Sequence, residues 1–285
     1  MNPWSWEPHP EVWFLVAVIL GTGWWAVRVI GPKVVSKGQL VVTVTQRRIF
    51  ILAVILLFVS ADWPMHDIAE DHLYSIHMLQ HLLLTFVVPP LFLKSIPVWL
   101  IQLLVLEGGF GARFLRRLTH PVFAGGIFNA LIAVTHWGAV VRLSSDSGIF
   151  HYGIHVAIFV SALLMWMPVV SPLDDLRLSP PGQMVYLFLM SIIPTVPAAW
   201  LTFADGTVYT SYDDGYELWS ISVRSDQQMA GLIMKLLGGA YLWSIIIFKF
   251  FAFSHKHQST QRLRPASGSQ PINRDITRNP VRASD

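Results

Sequence analysis

Seven apolar runs, near residues 12–30, 49–63, 73–93, 121–141, 148–170, 183–204 and 227–253, constrain this chain more than anything else in it. Runs of this kind match the roughly 30 Å of hydrocarbon that a bilayer presents. No water is available there, so a crossing segment must satisfy its own backbone N–H and C=O groups, and a helix does so. The expected fold is all-α: an integral membrane bundle of seven transmembrane helices over residues 1–253, followed by a disordered basic cytoplasmic tail over 254–285. That tail turns to Ser, Gln, Arg, Pro and Asn and has too few large apolar residues to build a core. The whole chain is 53% hydrophobic and only 13% charged, which excludes an ordinary soluble domain.

Lys and Arg set the expected orientation. Arg28, at the end of the first run, is followed by Lys33, Lys37, Arg47 and Arg48; Lys94, Arg113, Arg116 and Arg117 follow the third; Lys249, near the end of the seventh, is followed by Lys256, Arg262 and others. The alternate loops hold only Arg142 and Arg224 and gather acids instead, among them Asp62, Asp67, Glu70, Asp71, Asp146, Asp205, Asp213, Asp214 and Glu217. The reading is N-terminus outside and C-terminus cytoplasmic. No Lys or Arg precedes the first run, so it lacks the basic start of a cleavable signal and is expected to stay as a helix. Residues 97–118 begin apolar and turn basic around Gly108 and Gly109, as an interfacial segment on the inner surface would, with a re-entrant piece as the alternative. No basic patch is interleaved with aromatics, so nucleic acid is not an expected partner; the lipid bilayer is.

Two histidine pairs, His77/His81 and His151/His155, lie inside these apolar runs at i,i+4 spacing. That spacing puts both imidazoles of a pair on one helix face, so two such faces turned together could offer four nitrogens to one ion. With the orientation above, His77 and His81 lie about 7 to 14 Å below the outer surface at 1.5 Å per residue. His136, expected about a turn below the outer end of the fourth span, His151 and His155 in the fifth, and Asp226 at the start of the seventh fall in the same layer. The candidate metal ligands are therefore His77, His81, His136, His151, His155 and Asp226. Asp226 could equally cap a helix start, and Met65, Met78 and Met229 are expected to pack rather than ligate. His66 and His72 read as solvated side chains of the acidic outer loop, and His120, before Pro121, as part of a helix start. Lys235 stands near mid-membrane with no obvious acidic partner, where an ammonium is costly.

The sequence contains no cysteine, which removes thiolate chemistry and sulfur-rich sites. Imidazole-rich, thiol-free sites suit copper, zinc or iron, and an optional thioether favours copper. Zinc would accept the same His and Asp set, and a haem could take His81 and His155 as axial ligands.

Several segments, in order across roughly residues 60 to 240, resemble the CtaG-type, membrane-integral assembly factors of bacterial cytochrome c oxidase. They are Ser75-Ile76-His77-Met78-Leu79-Gln80-His81, Val88-Pro89-Pro90-Leu91 with Pro97, Thr119-His120-Pro121, Thr135-His136-Trp137, His151 with His155, and Asp226-Gln227-Gln228-Met229-Ala230-Gly231. The likeness is to the multi-span, Cys-free kind, not to the single-span, Cys-bearing copper chaperone that shares the name. It implies a multi-pass protein of the bacterial inner (plasma) membrane that serves the maturation of haem–copper oxidase at the stage of copper supply. Cytochrome c oxidase subunits would be its partners, and it would not be an enzyme. The matching positions are His77, His81, His136, His151, His155 and Asp226. Lys235 departs from the resemblance, under which an aromatic residue is expected. Two other classes stay open: a seven-span zinc-dependent membrane hydrolase, and a b-type haem electron carrier. A homo-oligomer is compatible with all three readings.

Overall fold

The computed structural model describes residues 6–105, 110–213 and 217–262, and among these the chain is helical, with no strand. The glycine break at 108–109, Asp214 of a loop expected to lie outside, and residues 263–285 of the tail lie outside the described residues.

Among the described residues, six helical stretches are long and apolar enough to cross a membrane: Pro10–Val34, Val44–Asp71, Tyr74–Ser95, Gly148–Val170, Pro180–Thr202 and Val223–Ser259. The chain is thus a multi-pass membrane protein. A seventh crossing exists only if Ala112–Leu118 and Pro121–Thr135 are taken together, and the two are bent by 66°. The expected fourth span, 121–141, is therefore corrected. Its helix, α9 (Pro121–Thr135), stops six residues early and is about 22 Å long at 1.5 Å per residue. A new helix, α10 (Gly138–Asp146), then starts.

The stretches begin where their sequences supply caps. Thr43 and Gln46 form a reciprocal capping box at the start of α3 (Val44–Ala61). Ser147, Ser179 and Ser222 accept backbone N–H groups at the starts of α11 (Gly148–Val170), α12 (Pro180–Met190) and α14 (Val223–Leu232). The first stretch is α1 (Pro10–Trp25) and α2 (Gly31–Val34), joined by a π turn at Ala26–Ile30. The second is α3 and α4 (Met65–Asp71), with a break before Pro64. The third is α5 (Tyr74–Leu82) and α6 (Val88–Ser95), joined by a π turn at Leu83–Val87. Pro89 has no N–H for the Thr85 carbonyl four residues back. The buried indole N–H of Trp166 takes that place, donating to Thr85 O at 2.9 Å.

Two short helices, α7 (Val98–Val105) and α8 (Phe110–Leu118), lead into α9. On α8 the side chains of Arg113, Arg116 and Arg117 are exposed, as on an interfacial helix with one polar face. The sixth stretch is α12 and α13 (Thr195–Thr202), and the last is α14, a π turn at Ile233–Leu237, and α15 (Gly238–Arg262). Helix α15 runs past residue 253, so the first nine residues of the expected tail are helical, a correction to its boundary. Composition alone misplaced that boundary, because Ser, His, Lys and Gln are ordinary residues in a helix that has left the bilayer.

The core is built where α5, α6, α9, α11, α12 and α15 meet, around Phe86, Phe128, Met165, Trp166, Leu187 and Leu242. Phe14, Val122, Trp200 and Phe248 instead point outward, as side chains facing lipid do. Close approach is sharpest at Gly231 of α14. A Cβ there would lie 2.5 Å from the Ala198 carbonyl oxygen and 2.4 Å from Thr202 Oγ1, so only glycine lets α14 sit this near α13. Lys235 donates to Thr195 Oγ1 at 2.7 Å, at the break between α12 and α13, and so finds a polar partner without an acid.

Candidate metal centre

Helix α5 carries His77 and His81 on one face and α11 carries His151 and His155 on one face, and the bundle turns the two faces together. Ring centroids are 4.5 Å apart for His77–His81, 4.4 Å for His151–His155, 5.6 Å for His77–His155 and 5.0 Å for His81–His155. One ligand atom from each of His77, His81 and His155 falls within 4.8 Å of the others. These rings are not hydrogen-bonded out of use. His77 Nδ1, His81 Nε2, His136 Nε2, His151 Nε2 and His155 Nε2 are buried and have no hydrogen-bond partner. Buried polar atoms ordinarily have partners, so five orphan nitrogens around one space need an explanation.

That space is a cavity of about 490 Å³, lined by His77, His81, His136, His151 and His155. The acids Glu7, Glu70 and Asp71 also border it, with Glu7 and Asp71 exposed at its rim. A low-dielectric cavity rimmed by one sign of charge concentrates ions of the other. The arrangement can therefore attract a cation and offer it neutral nitrogen donors, the chemistry that copper and zinc accept.

His136 lies on this cavity but outside the converging group. It sits at the end of α9, not a turn inside it. Its Nδ1 contacts the Ile132 carbonyl at 2.7 Å, and its own carbonyl accepts from Tyr209 Oη at 2.6 Å. Burial pushes the Tyr209 phenol up to about 12, so it stays a donor at neutral pH. Together with the turn at Trp137–Gly138, these side-chain bonds draw backbone groups away from the helix ladder, and the helix ends there.

Asp226 is placed differently from the expectation that it would join the imidazoles. It is 2% exposed and does not line the cavity. Its two carboxylate oxygens accept the backbone N–H groups of Tyr74 at 2.6 Å and Ser75 at 3.1 Å. It thus caps the start of α5 from a neighbouring helix, while Ser222 caps its own. Met78 packs among Tyr74, Leu201 and Tyr209, and Met229 is 40% exposed.

His66 corrects the sequence reading most clearly, because it is 4% exposed and not a solvated loop residue. Helix α4 packs against α5, so the segment read as an outer loop contributes to the site. His66 Nε2 lies 2.8 Å from Glu70 Oε2, and Glu70 Oε2 is 3.6 Å from His151 Nε2. The i,i+4 spacing of His66 and Glu70 was the available sign, the same spacing that marked the other pairs.

No curated relative and no solved structure matches the chain. One family does, over nearly all of the described residues: the family model of the cytochrome c oxidase caa3 assembly factors (Caa3_CtaG) matches residues 6–256, and the chain belongs to that family.

Proposed function

We propose that the chain serves the assembly of a haem–copper oxidase of the bacterial plasma membrane by holding copper as cargo at His77, His81 and His155 and releasing it to an oxidase subunit. Family membership supports the assembly role, which calls for no catalysis. The observation that carries the copper reading is the set of buried, partnerless imidazole nitrogens converging on one cavity. Three imidazoles suit copper in either oxidation state, and an exchangeable cargo needs a cavity open to its recipient. His136, with its free Nε2 on the same cavity, is available as a further donor. The haem alternative is disfavoured by spacing: the rings of His81 and His155 lie 5.0 Å apart, too close for an iron and its macrocycle to stand between them as axial imidazoles.

The test replaces the gene with one encoding His77→Ala/His155→Ala. The expected result is a normal amount of this protein in the membrane, low oxidase activity, oxidase depleted of copper, and partial recovery when copper is raised in the medium. Normal oxidase activity and copper content in the double variant would overturn the reading.

A further inference from the structure

The cavity holds a second group of donors, of a different chemical kind. Glu70 stands between two histidines from different helices, His66 of α4 and His151 of α11. The two histidines are not equivalent. Gln80 Nε2 donates to the Ser60 carbonyl at 2.7 Å, and because a carbonyl only accepts, this contact fixes which end of the amide is nitrogen. The same Nε2 lies 3.1 Å from His66 Nδ1. His66 Nδ1 is therefore the acceptor, and the neutral ring carries its proton on Nε2, 2.8 Å from the Glu70 carboxylate. In that tautomer His66 turns its N–H toward Glu70, a contact of distance and not of hydrogen-bond geometry, and its Nε2 stands with donor atoms of Glu70 and His151 in one group within 4.8 Å of one another.

His151 has the opposite arrangement. Ser144 Oγ is 3.0 Å from its Nδ1 and can take that N–H, which leaves the Nε2 lone pair toward Glu70. That nitrogen is buried, on a side chain only 6% exposed, and has no hydrogen-bond partner. Its 3.6 Å separation from Glu70 Oε2 suits an ion between them. Two donors each about 2.0–2.2 Å from one metal, at tetrahedral to trigonal angles, lie about 3.3–3.7 Å apart. The exposed acids Glu7 and Asp71 border the same cavity and add to its attraction for cations.

The geometry points to a second cation station, formed by Glu70 and His151 with His66 as the positioning residue, at which a hydrated divalent ion is taken up before it passes to His77, His81 and His155. This rests on the reading of those three imidazoles as the copper site. The carboxylate oxygen suits a partly hydrated divalent ion, whereas three imidazoles suit a stripped one. Transfer is ligand exchange alone: the ion gives up Glu70 and its waters as it gains nitrogens from His155 and His77, whose rings lie 4.4 Å and 6.1 Å from that of His151. No change of oxidation state is part of the step.

The test uses full-length protein in detergent, dialysed against copper(II) chloride buffered with glycine, with bound copper counted per chain. Wild type is expected to hold two ions of unequal affinity. Glu70→Gln is expected to weaken the looser ion at least tenfold and spare the tighter one, and His81→Ala to do the reverse. Glu70→Asp, which keeps the charge but withdraws it by one methylene, is expected to fall between, and it replaces Glu70→Gln if that variant does not fold. Two ions bound by Glu70→Gln as by wild type would overturn the outer station and leave the inner site standing. A single ion weakened equally by Glu70→Gln and His81→Ala would also overturn the outer station. No copper on wild-type protein would overturn both.

Discussion

Replacing Asp226 separates two roles that a buried carboxylate near a histidine cluster could have. As the structure places it, Asp226 holds the N–H groups of Tyr74 and Ser75, residues 2% and 1% exposed, at the start of the helix that carries His77 and His81. Asp226→Ala strands both donors. Each buried donor left without a partner costs about 1–3 kcal/mol, so the loss is about 2–6 kcal/mol. An exposed cap would cost only about 0.5–2 kcal/mol, and burial is what moves the figure up. Asp226→Asn keeps one acceptor and turns an amide NH₂ toward the other N–H, so its cost is about 1–3 kcal/mol. The assay is thermal unfolding of purified protein in detergent without metal, with bound copper measured separately below the transition. The expected order of melting temperature is wild type, then Asn, then Ala, with copper retained wherever the protein is folded. An unchanged melting temperature in Asp226→Asn together with lost copper would refute the capping argument and return Asp226 to the ligands.

Gly231→Ala should destabilise by at least about 1–3 kcal/mol, because its Cβ meets the Ala198 carbonyl oxygen and Thr202 backbone nitrogen, neither of which can swing away; Gly126→Ala, with nothing within 4 Å, is the matched control in the same melting assay. Trp166→Phe should cost about 1–3 kcal/mol by leaving the Thr85 carbonyl without a donor, and an unaltered melting temperature would mean that another group fills the gap Pro89 leaves. A reporter fused after Arg262 should be active only in its cytoplasmic form and one inserted near Asp213 only in its external form, following the Lys and Arg asymmetry; the reverse pattern would overturn the orientation.

Much of the arrangement was legible because it is local. The positions of six spanning stretches follow from the apolar runs, though not all of their ends, and the paired imidazoles of α5 and α11 follow from i,i+4 spacing, which needs no knowledge of the partner helix. What the sequence concealed depends on contacts distant in the chain. Asp226 is 152 residues from Tyr74, whose N–H it accepts, and nothing in Ser225-Asp226-Gln227 reveals that the donors belong to α5 rather than α14. The end of α9 at His136 depends in part on Tyr209, 73 residues away. Glu70 and His66 were hidden by a different cause: an acidic stretch between two spans reads as solvated, and only the packing of α4 on α5 removes His66 from water.

The π turn at Leu83–Val87 begins two residues after His81. A π turn accommodates about one more residue than an α turn, and each residue of an α-helix advances the face by about 100°. The upper part of this span, with its imidazoles, and the lower part, with Phe86 and Leu93 in the core, are therefore indexed independently although they share one continuous backbone. Removing a single residue between 83 and 87 would leave composition, length and hydropathy almost untouched, yet would rotate the imidazole face by about a quarter turn against the anchored half below. The direction in which this protein presents its nitrogens is set by a count of one.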